Sequence, residues 1–357
     1  MKLPFSKKYH KLPPTEKLAV VEGLSIMLSA GIPILEAIES LKEDTENKNT
    51  KLVLAGLSDE ISSGKTLSDA ISAFSDSFDL VFINIIKSGE ASGNLDKVLT
   101  HLAENIKSSI ETSDNIKSAL FYPALVIITL VSVSFYMFAF SLPKISTVFI
   151  DLNIDLPAYS TFIFKFSLFF QKNLLYIGAG FLTSIILSIW LLRTTKIRKI
   201  FFSFLIKLPS VRTLIKYMDL SRFTKTTALL LTAGVPIIDV LDISKNVIIS
   251  PKFKADIEYL KDSLTEGINL ADAMKTRPKS FPSLLKQVIG VGEETGNLDK
   301  ALEDISGHYE KKFTDIIKNL TVLLEPILIV LIGILVGVVL LSIIVPIYQL
   351  ISQIGPQ

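Results

Sequence analysis

Residues 89–97 read Gly-Glu-Ala-Ser-Gly-Asn-Leu-Asp-Lys, and residues 292–300 read Gly-Glu-Glu-Thr-Gly-Asn-Leu-Asp-Lys, a separation of 203 (292 − 89). Working outward, the same offset pairs Gly31-Ile-Pro-Ile with Gly234-Val-Pro-Ile, and Gly64 with Gly267. It also pairs Asp69-Ala70 with Asp272-Ala273, Phe78 with Phe281, Pro123 with Pro326, and Pro143 with Pro346. One unbroken offset over so long a stretch marks a duplicated unit, each copy ending in an apolar segment.

The punctuation inside each unit is helical. Ser29-Ala30-Gly31 followed by Pro33 reads as a glycine just past one helix and a proline opening the next. Thr66 with Asp69 resembles a capping box with a shortened acid, and Asn269 with Asp272 repeats it. Val20, Leu24 and Met27, and then Leu35, Ile38 and Leu41, recur at helical spacing, and no run alternates over a strand's length. The spacing predicts about six helices per unit, the last starting at Leu95 and running on into the apolar segment.

The repeated motif could be taken for a phosphate loop. A phosphate cradle needs converging glycine N–H groups, usually with a lysine and a following Ser or Thr. Here Gly89, Glu90, Gly93, Asn94, Leu95 and Asp96, with their copies Gly292, Glu293, Gly296, Asn297, Leu298 and Asp299, fit a tight turn between two helices. In that reading Gly93 supplies a positive φ, Asn94 caps the next helix and Asp96 lies in its positive first turn. Glu90 and Glu293 stay open as contacts for a partner.

The chain has 357 residues, 49% of them hydrophobic, with mean hydropathy +0.48 and 20% charged. That mixture predicts sizeable polar domains tied to a few membrane spans. A net charge of +2 gives no one-signed field to attract nucleic acid, and the absence of cysteine excludes disulfides and thiolate chemistry. His10, His101 and His308 show no ligand spacing, so neither a metal site nor a catalytic centre nor a cofactor site is expected.

Three stretches match the length of a bilayer core. They are Leu120 to Leu142, closed by Pro143; Asn173 to Leu192, stopped by Arg193; and Leu323 to about Leu350. Pro123 and Pro326 are placed in first turns, where a missing N–H is tolerated. Lys107 and Lys117 flank the first span, Lys311, Lys312 and Lys318 the third, and Arg193, Lys196, Arg198, Lys199, Lys207 and Arg212 follow the second. This distribution puts both polar domains in the cytoplasm. The expected division is a basic tail 1–16, a first cytoplasmic domain 17–117, a span 118–143 and an outer loop 144–172. A return span 173–192, a basic connector 193–219, the second domain 220–321, a span 322–350 and an outer tail 351–357 follow. No cleaved signal is read at the start, so the N-terminus stays in the cytoplasm and the C-terminus lies outside.

Some segments keep two readings. Leu156 to Phe170 could lie at the outer interface or extend the second span as a hairpin, and Ile197 to Ile215 could be an interfacial helix or a buried connector. Glu325 sits at the mouth of the third span, where it reaches interfacial water. Gly333 and Gly337 form a GxxxG pair suited to close helix packing, within the chain or between copies. Glu22 stands where the second copy has Lys225, and Ser108 to Glu111 stand where it has Lys311 to Thr314, which predicts different partners for the two domains.

Residues 221–237 (Ser-Arg-Phe-Thr-Lys-Thr-Thr-Ala-Leu-Leu-Leu-Thr-Ala-Gly-Val-Pro-Ile) resemble the opening of the duplicated domain of the type II secretion system F family. The paired GExxGNLDK motifs, Phe121-Tyr-Pro123, Leu323-Leu-Glu-Pro326 and Asn153-Ile-Asp-Leu-Pro157 are also similar to that family. The departure is Val20-Val21-Glu22, where the second copy has Phe223-Thr224-Lys225. The resemblance implies an all-α inner-membrane platform protein without catalytic activity. Its implied partners are a cytoplasmic hexameric assembly ATPase, pilin or pseudopilin subunits and other inner-membrane assembly proteins, with homo-oligomerisation and no direct nucleic-acid contact. A small-molecule transporter built from a duplicated unit is the alternative, though it would place polar or broken helices at mid-bilayer.

Overall fold

The structure, a computed structural model, describes residues 11–151, 158–180, 183 and 209–354. Most of the expected return span and connector, 184–208, lies outside the described residues. Among those described the chain is helical throughout, with no strand.

The first half runs α1 (Pro14–Ser29), α2 (Ile34–Asp44), α3 (Lys48–Ser62), α4 (Leu67–Ser72), α5 (Leu80–Ser92) and α6 (Leu95–Tyr136). A π-helical turn, Met137–Ser141, leads into α7 (Leu142–Asp151), and α8 (Ala158–Lys172) follows. The second half runs α9 (Pro209–Thr232), α10 (Ile237–Ser244), a 3-10 turn, α11 (Pro251–Thr265), α12 (Leu270–Lys275), α13 (Ser283–Thr295) and α14 (Leu298–Ile354). Positive φ angles fall at Gly31, Gly64 and Gly93 (84°, 89°, 69°) and at Gly234, Gly267 and Gly296 (83°, 85°, 70°), each pair at the offset of the sequence repeat.

The chain divides into two compact units. The first gathers described residues up to Asn115 together with Ser210–Ile316. Its first core packs Val21, Leu24, Ile38, Leu54, Phe78, Ile86 and Leu99, and admits Leu230, Ala233, Val240 and Ile243 from α9 and α10. Its second core is built on Phe223, Phe253, Phe281, Leu285, Leu302 and Tyr309. The rings of Phe223, Phe253 and Phe281 meet with centroids 5.2–6.2 Å apart. α9 thus has apolar residues on two sides because it is buried on two sides. The Asp219 carboxylate, 1% exposed, accepts the N–H groups of Ile249 (2.8 Å) and Ser250 (2.9 Å), joining α9 to the start of α11. Burial pushes its pKa up from the ordinary aspartate value, while those two N–H bonds pull the other way.

The second unit holds the apolar segments. The helical run Leu95–Ile150 contains an 18-residue window of mean hydropathy 2.3, only 11% buried, and Leu298–Val345 one of 3.4, 17% buried. Core helices of a water-soluble fold bury such windows, so these two are helices long and apolar enough to cross a membrane. Two expectations change here. Pro123 and Pro326 lie inside continuous helices rather than at helix starts. Pro143 does not close the first apolar helix, because the π turn before it lets the helical path continue into α7. Within the expected outer loop 144–172, the described residues 144–151 and 158–172 are helical. α8 folds back on α7, and Leu142, Phe149 and Phe164 form a small core between them, with Phe149 stacked on Phe164 at 5.9 Å.

Candidate functional site

The two motif segments have the same geometry. α5 ends in a Schellman turn: Asn94 N donates to Gly89 O (3.0 Å), Gly93 N donates to Glu90 O (3.2 Å), and Gly93 adopts the left-handed φ that other residues resist. In the second half Asn297 N donates to Gly292 O (3.0 Å), and Gly296 N donates to Glu293 O (3.4 Å). The leading glycine serves a different purpose. A Cβ on Gly89 would sit 3.0 Å from the Val98 side chain, and one on Gly292 would sit 2.9 Å from Ala301 Cβ, so each glycine lets its helix lie tightly on the next. Leu95 and Leu298 add apolar contact, one to each core. Asp96 and Asp299 lie in the first turns of α6 and α14, where the helix dipole favours an acid.

The glutamate closes the motif. Glu90 accepts from Leu67 N and from Ser68 N (3.1 Å), and Glu293 accepts from Leu270 N (2.6 Å) and Ala271 N (2.8 Å). Each carboxylate therefore covers two of the N–H groups that a short helix, α4 or α12, leaves unpaired at its start. The expected capping boxes are only half present. Thr66 Oγ1 accepts Asp69 N (3.2 Å), but Asn269 makes no side-chain cap, and the acid that caps is a glutamate from the helix beyond. The side-chain amides of Asn94 and Asn297 donate back to Ser92 O (3.2 Å) and Thr295 O (3.1 Å), rather than reaching forward to the next helix.

Where the two halves of this unit meet there is a polar junction that sequence reasoning missed. Lys225 Nζ donates to Ser108 Oγ (2.9 Å) and lies 3.4 Å from Glu310 Oε2, while Ser108 (3.3 Å) and Thr112 donate to Glu310 Oε1. Beside it Ser88 Oγ donates to Ala233 O. Lys225, expected as a docking charge, is engaged inside the chain. The signal available in sequence was the spacing of Ser108 and Thr112, four residues apart on one helix face. A cleft at this junction is lined by His101, Glu104, Lys225, Thr232, Glu303 and Glu310. Among the described residues no group of three His, Asp or Glu is placed to hold a metal ion. Among the described residues no neighbouring atom lies within 4 Å of a Cβ added at Gly333 or Gly337, and Glu325 is exposed.

The sequence model of the family described as type II secretion system (T2SS), protein F matches residues 21–143 and again residues 223–346. The chain belongs to that family and, with its two exposed apolar helices, is a membrane protein. Three relatives are similar over nearly its whole length. The type IV pilus assembly protein PilC of Thermus thermophilus is 28% identical over 341 residues, covering 94% of this chain and 82% of the relative. PilC of Pseudomonas aeruginosa is 27% identical, covering 97% and 92%. The type II secretion system protein F of Vibrio cholerae is 25% identical, covering 94% and 83%.

Removing the carboxylates tests the clasp. Glu90→Ala and Glu293→Ala each strand two helix-start N–H groups and are expected to cost about 1–3 kcal/mol, with the Gln variants losing less. Thermal unfolding of the purified protein would measure this, and parental stability in both Ala variants would contradict the assignment.

Proposed function

We propose that this protein is the inner-membrane platform of a type IV pilus or type II secretion machine. The observation that carries the reading is the double family match, each half of which ends in a long apolar helix. The names of the relatives, for pilus assembly and for secretion, support both systems. In this reading the platform is not an enzyme. It takes up motion from a cytoplasmic hexameric ATPase and helps draw pilin or pseudopilin subunits into a filament. It does so as a homo-oligomer, beside other inner-membrane assembly proteins and without binding nucleic acid directly.

The proposed topology is two copies of one six-helix bundle, 17–117 and 220–321, both cytoplasmic, with three spans. Parity supports it. Both halves contribute to one compact unit and share a core, so they belong on one side of a bilayer. If the first apolar helix crosses once, the chain must cross back before Pro209. The apolar stretch 173–192 is long enough for that return, and it leaves the C-terminus outside.

Two experiments test this reading. The chain has no cysteine, so single cysteines report topology without background. Ser160 and Ser263 are buried and make poor probes, whereas Tyr159, Ser62 and Glu266 are exposed. In cells with a permeable outer membrane, Tyr159→Cys should react with an impermeant maleimide, while Ser62→Cys and Glu266→Cys react only after lysis. Labelling of Glu266→Cys in intact cells would rule out three spans. For function, affinity capture from filament-forming cells should bring down the assembly ATPase, and deletion of this chain should abolish filaments. Normal filaments in its absence would overturn the platform role.

A further inference from the structure

The two halves of the cytoplasmic-type unit do not meet through equivalent surfaces. The first half offers α5 and α6, and the second offers α9, α10 and Glu310 on α14, as Ser88–Ala233, Ser108–Lys225 and Thr112–Glu310 record. A contact between unlike faces of a repeat is heterologous and leaves one face of each kind unused. The unused faces can be named by the offset. Among the described residues they are α1, α2 and Lys107 on α6 in the first half, and α13 with the start of α14 in the second.

Both bear the marks of an interface. Leu229 packs against the first core and Ala233 is 6% exposed, but their counterparts Ile26 and Ala30 are exposed, Ile26 at 70%. Ser88 and Val81 are half-buried at the junction, whereas their counterparts Val291 and Leu284 are 60% and 42% exposed. Like α9, α1 carries apolar residues on two sides, yet Val20, Val21 and Leu24 bury only one of them.

Charge identifies the occupant. Within the chain Lys225 meets Ser108, and Glu310 meets Thr112. Carried through the offset, Lys225 becomes Glu22 and Ser108 becomes Lys311, while Glu310 becomes Lys107 and Thr112 becomes Asp315. Of the three neutral-to-charged contacts, two turn into acid–base pairs, Glu22 with Lys311 and Lys107 with Asp315, and the longest, Ser108 with Glu310, becomes Lys311 with Lys107, each lysine facing an acid as well. We propose that the α1–α2 face of one chain docks the α13–α14 face of a second copy of this chain, repeating the internal junction between molecules. The inference deepens the homo-oligomer reading above by naming its surface and rests on the repeat alone.

The test uses full-length chains in membranes. Differently tagged Ala30→Cys and Val291→Cys chains, co-expressed and oxidised, should form one interchain disulfide that needs both cysteines. Adding Glu22→Lys to the first chain should lower the yield about fivefold or more, and adding Lys311→Glu to the second should restore it. A control chain with Ser108→Cys and Lys225→Cys, treated with a short bismaleimide, should lock within itself and verifies the internal junction independently. With that control locked, absence of the interchain disulfide, cross-linking of Ala30→Cys chains to each other, or no charge rescue would overturn the proposed surface. The homo-oligomer reading itself would fall only if size measurements in mild detergent gave a monomer.

Discussion

Each half of the first unit depends on a carboxylate aimed at the start of a helix too short to hold itself. α4 and α12 have six residues each, below the length at which a helix persists alone in water. Glu90 and Glu293 reach them from a helix more than twenty positions further along, and each covers two open N–H groups. The glycines around the glutamate serve the same end. Gly89 and Gly292 let the next helix approach, and Gly93 and Gly296 turn the chain within one residue. The motif is thus one device that fixes three helices, and it positions the surfaces on which the rest of the unit is built.

Much of this was legible in the sequence because backbone constraints act locally. The glycines at positive φ, the prolines opening α2 and α10, and the apolar runs of α6 and α14 stand where the residue pattern put them. What escaped reading acts across distance or against local propensity. Pro123 suggested a helix start, but membrane-type apolar helices tolerate a proline in their interior, and α6 passes through it. Pro143 suggested a helix end, yet a π turn carries the path past it. Asn269 has the composition of a cap and makes no side-chain cap, and the acid that covers the N–H groups beside it is Glu293. Lys225 looked like a free surface charge because nothing near it in sequence announces Ser108 or Glu310.

The exchange of charge between the halves therefore has a structural consequence. Lys225 with Glu310 faces hydroxyl groups of the same chain, where hydrogen bonds suffice and the pair is half-shielded from water. Glu22 and Lys107 carry the reverse arrangement on a face with no partner among the described residues. Identical copies would compete for one another's surfaces within and between molecules. Divergence of charge at these positions separates the internal contact from any external one.

Backbone hydrogen exchange at the two short helices tests the carboxylate clasp most directly. First-turn amides ordinarily exchange fast because no helix carbonyl accepts them, as for Leu35 and Glu36 at the start of α2, which has no side-chain cap. The clasp predicts that Leu67, Ser68, Leu270 and Ala271 exchange about tenfold or more slowly than that pair, and that Glu90→Ala and Glu293→Ala each abolish the protection in their own half only. Equal exchange at clasped and unclasped helix starts in the parent protein would contradict the account.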